Sequence, residues 1–173
     1  MKKEYAIVES WVGYELHPET PSSGVLLAER FQHYDLPVLH EQIRLRGLEF
    51  SLIFGNRTHL YNSRKSLAAA EFARDLGKFD SFHENMFQAY FTHCLDIDNP
   101  DVIAAVAVKS GLDEKETLCA VQDGRYMPRL DDARKEAESL KLTSIPLFII
   151  NDKYKVIGAQ PMEIFRDLLD NIE

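Results

Sequence analysis

The 173-residue chain is short of the residues that mark a metal, redox or nucleic-acid protein. Its only cysteines, Cys94 and Cys119, form no Cys-x-x-Cys pair, which excludes a zinc knuckle and a local dithiol of motif type. Isolated cysteines of this kind are expected as small buried apolar groups. The six histidines are dispersed, and none has the spacing that sets two imidazoles on one helical face, so neither a metal site nor a cofactor is expected. Bases number 20 against 28 acids, a net charge of −8, and no basic cluster is present, which disfavours nucleic acid and anionic membrane as partners. No apolar run approaches the roughly 18 residues of a membrane span. The opening "MKKEYAIVESW" has two lysines but no signal-peptide core. A cytoplasmic protein is expected.

What is present is enough for a core: 45% of residues are hydrophobic, sufficient for one domain of ordinary size. "KEYAIVESWVGYEL" is rich in β-branched and aromatic residues and predicts one extended strand. "HPETPSSG" closes it as a loop. From Val25 to about Gly47 two short helices are expected, split at Pro37, followed by an irregular "LEFSLIFGNRTHLYN".

The helical pattern then sharpens. Ser63 to Leu76 predicts a helix ended by a left-handed cap at Gly77. Phe79, Phe82, Met86, Phe87, Tyr90 and Phe91 predict one apolar stripe turned to the core. Asn99-Pro100 reads as an N-cap with proline in the first turn, and Gly111 as that helix's end. Asp113 to Glu116 resembles a capping box. A helix from about Met127 to Leu140 has its inner face at Leu130, Ala133, Ala137 and Leu140, and Asp131 and Lys135 stand at ion-pair spacing on its acidic outer face. "IPLFII" and "KYKVIG" predict a hairpin turning at Asn151 and Asp152. Pro161 opens a last helix with Ile164, Phe165, Leu168, Leu169 and Ile172 on one face.

Three stretches carry a family resemblance. "SWVGYELHPETPSSG" resembles the second strand and following loop of the DsbA family, above all its FrnE-like branch. "SLAAAEFARDLGKFDSFHENMFQAYF" resembles that branch's central insertion helices. "GRYMPRLDDARKEAESLKLTSIPLFIINDKYKVIGAQPMEIF" resembles the return to the thioredoxin fold. The resemblance implies an α/β, thioredoxin-like (DsbA-type) domain over residues 1–173, with residues 1–16 and 143–173 as the thioredoxin-fold part. Residues 22–142 would be a large, mainly helical insertion and return helix.

The same resemblance implies that Pro146 is the cis-proline facing the redox centre and that Ile145 pairs with an extended substrate peptide; a trans proline opening an edge strand is the alternative. It further implies that the first β-strand and the active-site helix with its Cys-x-x-Cys are missing, so that no catalytic residue can be named. Two strands would then lack a neighbour. A homodimer exchanging sheet or helix is expected to repair the gap.

Three functions compete. The first is a thiol-disulfide oxidoreductase or isomerase acting on protein or peptide disulfides, redox-inactive in this truncated form. The second is a non-catalytic peptide- or partner-binding module. The third is a glutathione-binding relative of the kappa transferase and isomerase group. His17, beside Pro18, reads as a loop residue because no neighbouring base or orienting carboxylate is evident.

Overall fold

The computed structural model describes residues 4–142 and 144–172. They divide into two compact units, one of Gly13–Asp131 and one of Met1–Val12 with Asp132–Glu173.

The first unit is built on helices. A short antiparallel ladder pairs β1 (Val25–Leu26) with β2 (His59–Leu60). Between them lie α1 (Leu27–Arg30) and α2 (Leu36–Leu48). The break between these helices falls before Pro37 rather than at it. Asp35 caps α2, its carboxylate accepting the Val38 amide at 3.2 Å, and Pro37 sits in the first turn, where its missing N–H leaves no bond unmade. Next come α3 (Arg64–Asp75) and α4 (Phe79–Phe87), the latter continuing into a π-helical turn at Gln88–Thr92. α5 (Pro100–Lys109) and α6 (Glu114–Gln122) follow, then α7 (Met127–Ser139), whose residues are divided between the units.

Local chemistry sets these boundaries. Asn99 accepts the Asp101 amide and Asp113 the Glu116 amide, each at 2.8 Å, satisfying donors that a helix start leaves orphaned. Gly77 and Gly111 end their helices at φ of +65° and +77°, a conformation that costs glycine nothing. Alanines at 68, 69 and 73 of α3 are fully buried, and their small size lets neighbouring helices approach. Phe82, Ile103 and Thr117 are the largest wholly enclosed side chains. The expected aromatic stripe is corrected at Phe87, which is 45% exposed. It follows Met86 directly, so it lies about 100° round the helix from that buried residue.

The second unit holds an antiparallel hairpin, β3 (Leu147–Ile150) with β4 (Tyr154–Ile157), in the register Leu147 to Ile157 and Phe148 to Val156. Asn151 and Asp152 take φ of +52° and +54°, and Lys153 N–H closes the turn on the Ile150 carbonyl at 3.1 Å. α8 (Met162–Asn171) packs on one face of the hairpin, Phe165 meeting Phe148 edge-on at 4.9 Å. Tyr5 donates to Asp170 at 2.6 Å, and Arg166 reaches Glu4, tying the opening segment to α8.

The opening stretch is not the strand its composition predicts: Tyr5 to Leu16 joins no ladder among the described residues. β-Branched and aromatic side chains suit a pleated surface, but a strand exists only where another supplies hydrogen bonds. The cysteines are corrected too. Cys119 is exposed on α6 and Cys94 is half-buried. On α7, Lys135 reaches Asp132 at 2.8 Å, while Asp131 binds Arg64 at 2.7 Å.

One surface cluster makes stability depend on acid. Arg129 grips Asp75 with two bonds of 2.7 and 3.0 Å, and Tyr126 donates to it at 3.0 Å. The Arg129 bonds, helped by Tyr126, hold the Asp75 carboxyl below its ordinary range. The unfolded chain therefore takes up this proton first as pH falls. The contribution is full above about pH 4, the unfolded value, and is lost on descent through the lower folded value. Arg129→Gln is expected to lower the urea midpoint at pH 7, where the contribution is full, and to converge on the parent as pH falls below about 3, which flattens the acid limb; an equal midpoint at pH 7 with an unchanged limb would remove Asp75 from the account.

Candidate functional site

The hairpin places both sequence-predicted site residues. Ser144 and Ile145 lead into Pro146, and β3 starts at the next residue; Thr143 lies outside the described residues. The Ile145–Pro146 peptide bond is cis. Gly158 N–H donates to the Pro146 carbonyl at 2.7 Å, so the hairpin itself fixes that carbonyl. Ile145 differs. Its side chain is 47% exposed, and its backbone makes no hydrogen bond among the described residues.

β3 continues this open character. One edge is bonded to β4, and no other described strand pairs with it. Phe148 and Val156 face α8, while Ile149 and Ile157 on the opposite face are 42% and 49% exposed. The arrangement is an unpaired backbone edge flanked by apolar side chains, the surface to which an extended peptide adds as a further strand.

Other sequence-singled residues lie elsewhere. Trp11 is 45% exposed and Tyr14 half-buried. His17 is not without a carboxylate: its Nδ1 lies 3.3 Å from Glu19 Oε1, and Arg30 meets that same oxygen at 3.1 Å. Glu19 was within reach in the sequence; the loop turns it back onto the ring. A cleft of about 490 Å³ opens between α3, α5 and α6, lined by Asn62, Arg64, Lys65, Asp98, Ile103 and Leu118 among others. Its cations are already matched, Arg64 by Glu15 and Asp131 and Lys65 by Asp98.

Residues 11–170 match the DSBA-like thioredoxin domain. The chain belongs to that family. Its fold is the family's, α/β and thioredoxin-like with a helical insertion. The probable DsbA oxidoreductase SCO1869 from Streptomyces coelicolor superposes with a TM-score of 0.81 at 20% identity, over 90% of this chain and 71% of the other. A candidate protein disulfide isomerase from Nitrosomonas europaea gives 0.66 at 17% identity, over 87% and 76%. The uncharacterized protein YwbO of Bacillus subtilis (strain 168) is 28% identical over 101 residues, 58% of this chain. The match spans half of that relative's length.

Proposed function

We propose that this DsbA-family chain is the peptide-positioning part of a thiol-disulfide oxidoreductase or isomerase of the FrnE-like branch, with Ile145 and Pro146 as its substrate-binding turn. The observation that carries the reading is the Ile145 backbone, unbonded among the described residues, at the head of a β3 whose second edge no described strand occupies. A bound peptide would pair its backbone with Ile145 and with that edge, while Ile149 and Ile157 give its side chains apolar contact.

Exchange needs a thiolate to attack a disulfide and a second thiol to resolve the mixed disulfide. The family match favours that chemistry, and the sequence limits it: Cys94 and Cys119 are free and in no Cys-x-x-Cys arrangement. The 173-residue chain is therefore expected to hold substrate without turning it over. In an insulin-reduction assay it should not exceed the dithiothreitol background. A disulfide-blocked unfolded peptide should bind in fluorescence anisotropy, and N-methylation of its pairing residue should weaken binding about tenfold, the worth of one backbone hydrogen bond. Equal binding of the methylated peptide would reject Ile145 as the pairing residue. Robust insulin turnover would reject the inactive reading.

Where no peptide occupies it, the open β3 edge also favours a homodimer in which a second copy covers it in competition with substrate. Sedimentation should then give twice the 19.9 kDa chain mass; a monomer at micromolar concentration would count against it.

A further inference from the structure

The ten arginines of the chain are not alike. Nine pair with carboxylates: Arg64 with Glu15 and Asp131, Arg129 with Asp75, Arg74 with the mostly buried Glu71, and the rest with exposed acids. Arg57 pairs with none among the described residues. Acids outnumber bases by 28 to 20, so it is not unpaired for want of a partner. Its guanidinium lies over the Tyr90 ring at 4.4 Å and the Phe91 ring at 5.4 Å. Arg57 is half-buried, yet no buried side-chain nitrogen goes unsatisfied, so its donors open to water.

The platform beneath it is unusual in its own right. Tyr90 and Phe91 belong to the π-helical turn Gln88–Thr92, a rare geometry often found at functional positions. The segment carrying Arg57 is fastened to that turn from both sides: Gly55 N–H donates to the Phe91 carbonyl at 2.8 Å, and the Thr92 hydroxyl to the Ile53 carbonyl at 2.7 Å. Only glycine permits this approach at position 55, since a Cβ there would stand 2.4 Å from the Thr92 carbonyl oxygen. Beside Phe91 lie Phe54 at 5.9 Å and Phe87 at 5.5 Å. An apolar shelf, part of it exposed at Phe87, therefore adjoins a cation seated over two rings.

We propose that Arg57 on its Tyr90–Phe91 platform is a binding site for a carboxylate carried on an aromatic group. The forked guanidinium donates two parallel bonds to a carboxylate lying in its own plane, and the rings beneath attract the cation without consuming a donor. The ligand's ring would lie on Phe54 and Phe87. The site lies within the helical unit and requires neither a thiol nor the β3 edge.

The test titrates the intact chain with N-acetylphenylalanine, following the Arg57 Nε–Hε resonance by NMR, with the uncharged N-acetylphenylalanine amide in parallel. The acid is expected to shift the resonance saturably and the amide to bind at least tenfold more weakly. An Ac-Phe-Glu amide peptide distinguishes the source: tighter binding than the free acid assigns the site to a protein side chain, weaker binding to a small acid. Arg57→Met keeps an apolar stem on both rings and should lose about tenfold or more in affinity, read from remaining amide shifts near Phe91. Arg57→Lys, which retains the charge without the fork, should fall between and serves if the methionine variant unfolds. Equal binding of acid and amide, unchanged affinity in these variants, or no movement at Arg57 would leave a packing contact and overturn the proposal.

Discussion

Phe82→Ala is expected to remove about 3–5 kcal/mol from the helical unit, the cost of emptying a wholly enclosed aromatic site. Phe82 is 0% exposed and belongs to one cluster with Phe72, Met86 and Ile103. Backbones joined by buried alanines cannot easily collapse into the space, so much of the void should persist. Since a domain's whole stability is about 5–15 kcal/mol, the variant should melt roughly 10 °C lower or more. Phe87→Ala is the matched control on the same helix. That ring is 45% exposed and touches His83 and Phe91 at its flank, so its loss should cost about 1 kcal/mol or less, being partial burial. Thermal or urea unfolding of the two variants decides the orientation of α4. If Phe87→Ala were as damaging as Phe82→Ala, the inward face would have been assigned to the wrong residues.

That contrast also shows what could be read from the sequence and what could not. Features set by neighbours in the chain were legible: the caps at Asn99 and Asp113, the left-handed ends at Gly77 and Gly111, and the hairpin turn at Asn151 and Asp152. Each depends on the backbone preference of one or two residues. Features needing a distant partner were not. Tyr5 to Leu16 has strand composition, but its side chains cannot supply the ladder. The aromatic spacing alone does not separate Phe82 from Phe87, because 3- and 4-residue spacing admits both flanks of a face and only packing chooses between them. Cys119 sits on α6 between buried Thr117 and Ala120 yet points outward, a choice that helical phase made against cysteine's general preference. The proposed substrate-binding role of Ile145 and Pro146 comes from the family resemblance alone, since proline opening a strand is by itself ambiguous. Arg57 gave no local signal at all. Its platform comes from the π-helical turn, brought near by the fold.

The second large effect is expected at Lys65, through the carboxylate that it leaves behind. Lys65 Nζ binds Asp98 at 2.7 Å, and the two side chains are 39% and 5% exposed. The pair is asymmetric. Released from its partner, the lysine can turn its ammonium into water along a flexible stem, whereas Asp98 is held by its backbone, with Asp98 N–H on Asp96 Oδ1 at 2.9 Å. Lys65→Met therefore strands a charge, and Asp98→Leu does not. The first is expected to cost about 2–4 kcal/mol, somewhat under the range for fully buried pairs because water reaches the lysine side. The second should cost less, and the double variant less than Lys65→Met alone, because an apolar pair leaves nothing unsolvated. Urea unfolding of the four proteins closes the cycle, whose coupling energy should be at least about 1 kcal/mol. Additive costs, or a Lys65→Met variant as stable as the parent, would mean that water already solvates Asp98 and that this wall of the cleft is open.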